Sequence, residues 1–413
     1  MSIRATATSS VVPPSPPSPP ATPSIPSTPS PQFTDRDGNG KVDIEVDFDG
    51  PEGQHFSSLG NKGYQGLTDA QQHELRHQML KISNDVNVVF HKKGTIDNPD
   101  GKLKFGTFQQ NTSQTNDVVV HAPSDSSQPV EVYFNGNAKE DPSISEPNET
   151  NKGGHTLTRA LLYGLGVKPP KPEEEGGRHD SLGYSALSTK PETRTGHDFK
   201  GAPVIGAQLD DQEQLESLYE RNTGERAPIE IGQVGNGGYG ATATISGGVT
   251  SSSHETIDAT GDTNDQTIDM RPGSFSSVKG YTKNISITST TVVEDLRTGS
   301  GNNVIIPNAV SNQITLGAGN NRVVYNHTWD SNPQRPDTII GFKSGQDKLD
   351  LTQLPTPVNF ERDRNSPIEI IKEGDATYVV RWTTARRKAA GSDPEFKVRV
   401  DGIQMSDILR YSY

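Results

Sequence analysis

The chain has 413 residues, of which 52 are acidic and 39 are basic, and its formal net charge is −13. This balance argues against nucleic acid as a partner, because phosphate binding needs basic patches. Cysteine is absent, which excludes disulfides, thiolate zinc sites and cysteine nucleophiles. A hydrophobic fraction of 29% with 41 Gly and 30 Pro predicts a loop-rich β protein with a disordered piece.

Residues 1–33 are dominated by Ser, Thr, Pro and Ala, and the first acidic residue is Asp35. Proline removes amide donors and there is little apolar surface to bury, so we expect a disordered leader. The leader is either a plain tether or an export signal, since it resembles the Ser/Pro-rich leaders of type III secreted effectors. No apolar run approaches the roughly 20 residues of a membrane helix, and no signal-peptide core is expected at the start.

Residues 35–46 (DRDGNGKVDIEV) follow the leader and resemble a calcium loop. EF-hand places 1, 3, 5 and 9 are taken by Asp35, Asp37, Asn39 and Asp43. Place 12 needs a bidentate glutamate and holds Val46 instead. Two interpretations stay open, a weak calcium loop and an Asp/Gly-rich turn.

A helix followed by a strand is predicted over residues 67–90. An apolar face at helical spacing is formed by Leu75, Met79, Ile82 and Val86. Residues 73–77 read HELRH, so His73 and His77 share a face with Glu74 between them, as in a zinc-protease helix. The pair lies off the apolar face, and Leu80 and Ser83 occupy the places where a metzincin needs glycine and a third histidine.

Further elements follow in order along the first half of the chain. Strands are predicted at 103–108, 117–122 and 130–134, and an amphipathic helix at 206–222 with Leu209, Leu215, Leu218 and Tyr219 inward. After about residue 225, Gly, Ser, Thr and Asn dominate and helix signals vanish, which indicates a domain boundary.

Residues 298–324 divide into three units of nine: TGSGNNVII, PNAVSNQIT and LGAGNNRVV. The eighth place is apolar each time (Ile305, Ile314, Val323), and the sixth is asparagine (Asn303, Asn312, Asn321). A nine-residue period with glycine turns is typical of a parallel β-roll that binds calcium between turns.

The nines, together with RPDTIIGFKSGQDKLDLTQL at 335–354 and the terminal FKVRVDGIQMSDILRYSY, resemble the C-terminal half of the serralysin metalloproteases. LKFGTF at 103–108 and GHDFKGAPVIGAQLDDQEQLESLY at 196–219 resemble the same family in the same order. The resemblance spans about residues 60–413. It implies an α+β fold, with a metzincin-like zincin domain followed by an all-β parallel β-roll/sandwich (RTX-like) domain.

Serralysins resemble other metzincins in holding zinc with H-E-x-x-H-x-x-G-x-x-H, in which the glutamate is the general base. On this chain the motif begins at His155. Thr156 takes the base position, Arg159 the second ligand, Leu162 the glycine and Leu165 the third ligand. A fixed positive charge at Arg159 repels zinc. In the methionine turn that the resemblance implies below the metal, Leu187 replaces methionine and Thr189 replaces tyrosine.

The calcium sites that the resemblance implies have also lost charged ligands. The sixth place of each nine is Asp in the usual repeat, whereas Asn303, Asn312 and Asn321 carry no charge. In the implied calcium loop at the domain junction, TSSSHET, Glu255 is the one carboxylate. We therefore expect zinc to be absent, and calcium binding to be weak or absent.

We predict a leader at 1–33, a metzincin-like domain at 34–225 and a β-roll domain at 226–413. The first hypothesis is a secreted, catalytically inactive pseudoprotease that acts as an effector or decoy on a host protein or protease inhibitor. A zinc endopeptidase built on His73, Glu74 and His77, with His91 or a remote carboxylate as third ligand, is the alternative, and a structural extracellular protein is a third. We expect a monomer exported by a type I or type III route, with delivery into host cells open.

Overall fold

The computed structural model describes residues 33–50, 62–109, 118–123, 127–170, 180–222, 229–230, 241–247, 255–354, 368–382 and 393–410. Within these ranges the fold is mixed, with many short strands and three α-helices. No helix in them is long and apolar enough to cross a membrane. The predicted leader, apart from Phe33, lies outside the described residues.

The first sheet is built from six strands and is mostly parallel. Its spatial order is β3-β1-β4-β6-β5, with β2 antiparallel on β4 and β5 antiparallel on β6. The strands are β1 (Val42–Asp47), β2 (Lys62–Gln65), β3 (Val88–Lys92), β4 (Gly101–Gln109), β5 (Val118–His121) and β6 (Val130–Asn135).

Three α-helices accompany this sheet: α1 (Asp69–Asp85), α2 (Lys152–Gly164) and α3 (Leu209–Tyr219). Helix α1 begins with a capping box, in which the Thr68 side chain accepts from the Gln71 backbone and Gln71 accepts from the Thr68 backbone. The Asn151 side chain caps α2 by accepting from the Gly154 N–H. Leu75, on the predicted apolar face of α1, is fully buried.

The remaining strands lie after residue 228. They are β7 (Ile229–Glu230), β8 (Ala243–Ile245), β9 (Thr256–Asp258), β10 (Gln266–Asp269), β11 (Phe275–Ser276), β12 (Ile285–Ile287), β13 (Asp295–Arg297), β14 (Asn303–Ile306), β15 (Gln313–Thr315), β16 (Arg322–Val324), β17 (Asp337–Ile340), β18 (Lys348–Asp350), β19 (Ile368–Glu373), β20 (Ala376–Arg381), β21 (Phe396–Val400) and β22 (Ile408–Leu409). Short 3-10 helices lie at Pro142–Ser145, Glu192–Thr195 and Met405–Asp407.

Successive strands of the nine-residue repeat alternate between two sheets, as a β-roll requires, and within each sheet they pair in parallel, whereas β19, β20 and β21 extend the second sheet through antiparallel pairs. One sheet has the order β10-β14-β16-β18-β22, and the other runs β19-β20-β21-β17-β15-β13-β9-β7. Ile305 of β14 pairs with Val323 of β16, so one full coil takes two nines. Ile305, Ile314 and Val323 are completely buried, because each eighth place points between the sheets.

The buried apolar residues form two large clusters. One includes residues between Phe33 and Tyr219, and the other includes residues between Ile245 and Ile408. Phe33 belongs to the first cluster, although the composition predicts it as the last residue of the leader. The boundaries at 33/34 and 225/226 remain predictions.

Candidate functional site

The metal-helix positions of the sequence lie on α2 and at its C-terminal cap. The ring of His155 is half-buried, and its Nε2 lies 3.0 Å from the Ala186 carbonyl oxygen. Since a carbonyl can only accept, this nitrogen carries the proton and donates it. Thr156 is buried, Arg159 is half-buried, and Leu165 is fully buried in the core.

The end of α2 decides where the third ligand position points. The helix runs to Gly164, and the left-handed residue that ends it is Gly166, with φ of 88°. Position 162, which is glycine in the metzincin pattern, is a buried leucine inside the helix. The chain therefore turns later than that pattern requires, and Leu165 stays in the core. The Tyr219 hydroxyl fixes this end by donating to the Leu165 carbonyl at 2.7 Å.

The turn opposite His155 is held by a buried carboxylate. Asp211, in the first turn of α3, accepts from the Ser185 hydroxyl at 2.6 Å, the Ala186 N–H at 2.7 Å and the Gln208 N–H at 3.0 Å. Burial raises the pKa of Asp211 to about 6. Leu187, at the methionine-turn position, is buried in the first core, whereas Thr189 is exposed. This turn is thus braced by packing and hydrogen bonds that need no metal.

Zinc does not fit the side chains on α2. The motif assigns three zinc ligands and a general base to His155, Thr156, Arg159 and Leu165, and of these only His155 has a side chain that commonly binds zinc. Its Nε2 is already hydrogen-bonded to the Ala186 carbonyl oxygen. A zinc site needs at least three protein ligands. The described residues contain no group of three or more His, Asp or Glu side chains that could hold a metal ion.

The structure separates the three residues of HELRH. His73 is exposed, while Glu74 is buried and accepts from Gln78 Nε2 at 2.7 Å. His77 is half-buried and its Nδ1 lies 3.3 Å from Glu149 Oε1. Glu74 and His77 therefore contact different partners, and the three residues do not form a metal-binding group in the part of the chain that the structure describes.

His91, the alternative third ligand, lies elsewhere on β3. Its Nε2 is 2.6 Å from Asp43 Oδ1. His91 thus contacts the acidic loop at 35–43.

The acidic loop at residues 35–43 is organised by its own backbone. Asp35 accepts from the Gly38 N–H at 2.7 Å and from the Gly40 N–H at 2.8 Å. The Asn39 side-chain amide donates to Asp37 at 3.1 Å and to Asp43 at 2.9 Å. These are the contacts of an Asx-type turn, in which backbone and amide donors take the carboxylate oxygens. Calcium at this loop stays a prediction.

The calcium positions implied for the roll are all internal. Asn303, Asn312 and Asn321 are buried, and so is Glu255 near the junction. The rest of the junction loop, 248–254, lies outside the described residues.

His197 lies in a pocket of aromatic rings contributed by both halves of the chain. Its ring centroid is 5.4 Å from that of Tyr184, 5.8 Å from Phe199 and 4.7 Å from Phe275 of β11. Its Nδ1 is 2.9 Å from the Thr195 hydroxyl oxygen, and Nε2 has no partner in the described part of the chain. Burial, with a smaller contribution from the charge of Lys283, lowers its pKa to about 4.

Sequence reasoning did not single out Asp211 or the buried polar contact between α1 and α2. In that contact the Thr158 hydroxyl donates to Gln78 Oε1 at 2.9 Å and accepts from the Gly206 N–H at 3.0 Å. The role of Asp211 could have been predicted, because a carboxylate at the third position of a helix can accept from the backbone N–H of the residue that caps the helix. The pairing of Thr158 with Gln78 spans 80 residues and leaves no local signal.

Comparison with known proteins agrees with this architecture. Residues 245–406 match the family model described as Peptidase M10 serralysin C terminal. The chain is 26% identical to Serralysin A of Dickeya chrysanthemi over 336 residues, which cover 73% of this chain and 68% of that protein. It is 27% identical to Metallopeptidase AprA of Pseudomonas marginalis over 363 residues, covering 78% and 76%. It is also 27% identical to Serralysin of Proteus mirabilis over 383 residues, with 76% of each chain covered.

The parallel sheets after residue 228 and the matched family model define a protein with a serralysin-type β-roll. The relatives extend the similarity over most of the chain, and together these matches support a serralysin-type family member. This confirms the resemblance seen in the sequence.

Proposed function

We propose that this chain is a secreted serralysin-type pseudoprotease, whose metzincin-like domain has lost zinc chemistry and binds a protein partner through the former substrate cleft. The relatives are named serralysins and metalloproteases, so a protease is the ancestral activity to which the site must be compared. Secretion is proposed from the same kinship, since serralysins act outside the cell.

One observation carries the proposal. Among the metal-helix positions only His155 can bind a metal, and its Nε2 donates to the Ala186 carbonyl. The base position holds Thr156, whose hydroxyl is a far weaker base than a carboxylate. The second ligand position holds Arg159, which stays charged at all physiological pH values. Polarisation of a peptide carbonyl and activation of water have no support in these residues.

The parts that shape the cleft, in contrast, keep their packing. Leu187 fills the methionine position of the turn, and Asp211 ties the backbone of that turn to α3. Tyr219 ties α3 to the end of α2. Such buried contacts favour a binding role, because pre-organised surfaces lose less entropy on association.

The sheet offers an edge for an extended partner. Strand β5 is the last strand of the first sheet, and among the described residues it pairs only with β6. All four of its residues are half-buried, so they present both apolar and polar surface. An extended segment can add to such an edge through main-chain hydrogen bonds. A protease inhibitor or host protein with an extended loop is therefore the partner class we propose.

Zinc content is the first test. The full-length protein is dialysed against trace zinc, and zinc per chain is measured by elemental analysis together with cleavage of an unfolded protein substrate. We expect far less than one zinc per chain and no cleavage above buffer. About one zinc per chain, lost in His73→Ala, would refute the proposal and support the alternative site at His73, Glu74 and His77.

The binding role needs a separate measurement, since a purely structural extracellular protein would also lack zinc. Affinity for serralysin inhibitors and for extended peptides is measured by calorimetry, with and without Val119→Pro in β5. We expect a discrete affinity that the proline weakens, because proline removes one N–H of the strand and fixes its backbone. Absence of any binding would favour the structural role.

The export route is tested by deletion of residues 1–30. Loss of export by this deletion would support the type III route, and unchanged export would support the type I route through the C-terminus. Deletion of residues 406–413 does not test the C-terminal export signal alone. Asp407 accepts from the Ser344 hydroxyl at 2.6 Å and the Gly345 N–H at 3.0 Å, and β22 pairs with β18. That truncation would therefore also damage the roll.

A further inference from the structure

Three asparagines of the roll, Asn303, Asn312 and Asn321, form what we call the amide ladder. They recur every nine residues, and their relative exposures are 0%, 2% and 1%. Each side-chain nitrogen lies within hydrogen-bond distance of three oxygens. A polar side chain this buried is costly unless its hydrogen bonds are made.

Asn303 defines the geometry. Its Nδ2 lies 2.9 Å from the Gly301 carbonyl oxygen, 3.1 Å from the Gly299 carbonyl oxygen and 2.8 Å from Asn321 Oδ1. Two of these acceptors are carbonyls of its own glycine turn, and the third comes from the next coil of the same sheet. Because backbone carbonyls only accept, the amide must present its N–H groups here. Its Oδ1 has no partner among the described residues.

The ladder continues across the next coil. Asn321 Nδ2 donates to Asp347 Oδ1 at 3.1 Å, and the Asn321 N–H donates to the same oxygen at 2.9 Å. The other oxygen of Asp347 accepts from the Lys343 N–H at 2.8 Å. The hydrogen bonds thus run from Asn303 to Asn321 to Asp347, in one direction and through the interior of the roll.

The opposite side of the roll repeats the arrangement with different partners. Asn312 Nδ2 lies 3.1 Å from the Val293 carbonyl, 3.1 Å from the Glu294 carbonyl and 3.0 Å from Asn308 Oδ1. Asn308 occupies the second place of the middle nine, which has no G-x-G turn. An amide pair therefore replaces the missing turn.

Calcium does not fit this set of atoms. It needs six to eight oxygens at about 2.3–2.6 Å with carboxylates to balance its charge. Around Asn303 the centre of the oxygen cradle is filled by an amide nitrogen at hydrogen-bond distances. The carboxylate at the end of the ladder, Asp347, already accepts from Asn321 and Lys343.

We propose that the amide ladder does the structural work of calcium in this roll. The amide N–H groups of Asn303 and Asn321 join the carbonyl oxygens of their own turn to a side-chain oxygen of the next coil, as a cation would, and add no charge. The amide of Asn312 likewise joins two backbone carbonyls to the Asn308 side chain. The roll therefore reaches its full stability without a divalent cation. This inference is independent of whether the first half of the chain cleaves or binds proteins.

The test compares the full-length wild type with Asn303→Asp in chelator and in about 10 mM calcium, roughly ten times the weakest dissociation constant of extracellular calcium modules. Thermal unfolding gives the midpoint, and hydrogen exchange of amides 303–306 and 322–324 reports on the roll itself. We expect both readouts to be unchanged by calcium in the wild type. In chelator the variant should unfold at least about 4 °C lower, because a carboxylate there faces carbonyl oxygens without a donor. Calcium should restore part of that loss.

The control is Asn320→Asp, the same change at an exposed asparagine in the glycine turn of the next coil. It should leave the midpoint within about 1 °C of the wild type. Calcium-dependent protection of 303–306 in the wild type would overturn the proposal. A midpoint of Asn303→Asp equal to that of the wild type in chelator would also overturn it. If the variant does not fold, the wild-type exchange measurement still decides.

Discussion

Acid should weaken this protein through one buried histidine. His197 is 2% exposed and lies among the rings of Tyr184, Phe199 and Phe275, where its pKa is lowered to about 4 from an ordinary 6.5. Between pH 6.5 and pH 4, His197 is protonated in the unfolded chain but stays neutral in the folded chain. The contribution of a neutral His197 is therefore complete above pH 6.5 and is lost as the pH falls toward 4.

The size of the effect follows from the two pKa values. The full difference corresponds to about 3 kcal/mol, and about 2 kcal/mol of it falls between pH 7 and pH 5. His197→Gln removes the titrating group. We expect the variant to lose stability at pH 7, because Thr195 and the rings lose their partner, but to lose about 2 kcal/mol less than the wild type on acidification.

Urea unfolding at pH 7 and pH 5, followed by intrinsic fluorescence, measures these differences. His73→Gln serves as the control, since His73 is exposed and its removal should leave the pH dependence as it is in the wild type. The half-buried Asp210 and the buried Asp211, whose pKa values are raised to about 7 and about 6, are common to all three proteins, so their contributions cancel in the comparison. Equal losses on acidification in the wild type and His197→Gln would refute the reasoning, because water would then reach the ring.

Other buried contacts make simpler predictions, all measured by urea unfolding at pH 7. Tyr219→Phe should cost about 1–2 kcal/mol, since the Leu165 carbonyl loses its buried donor, and an unchanged midpoint would mean that water replaces the hydroxyl. Leu187→Ala should cost about 2–5 kcal/mol, whereas Leu187→Met should cost less than about 1.5 kcal/mol, because only the first leaves a cavity. Thr158→Val should cost about 1–3 kcal/mol and Thr158→Ser much less, because serine keeps the hydroxyl that bonds Gln78.

The order of the helices and strands follows from local patterns of apolar residues that are visible in the sequence. The helix and strand predicted over 67–90 are found as α1 and β3, and the strand predicted at 130–134 is β6. The nine-residue period placed Ile305 correctly inside the roll. Strand β1 is not among the predicted elements, because residues 35–46 are interpreted as a calcium loop or a turn. Its pairing with β3 and β4 is long-range and has no mark in the local sequence.

The candidate site was predictable in its residues and not in its contacts. That Arg159 and Leu165 stand at ligand positions is visible in the sequence alone. The later turn at Gly166 is not, because it depends on a leucine at 162 letting the helix continue. The burial of Glu74 beside the exposed His73 is not visible in the sequence either, since it depends on the hydrogen bond from Gln78.

The alternation of the repeat between two sheets sets a rule for how such a roll can grow. Strands that stack directly, as at Ile305 and Val323, are 18 residues apart, while the next pair, Val323 and Leu349, is 26 apart. Insertion of nine residues into the regular part would carry every later strand to the opposite sheet, and its side chains with it. Rolls of this family should therefore lengthen by whole coils of 18, or by loops between strands such as 325–336, where extra residues leave the stacking undisturbed.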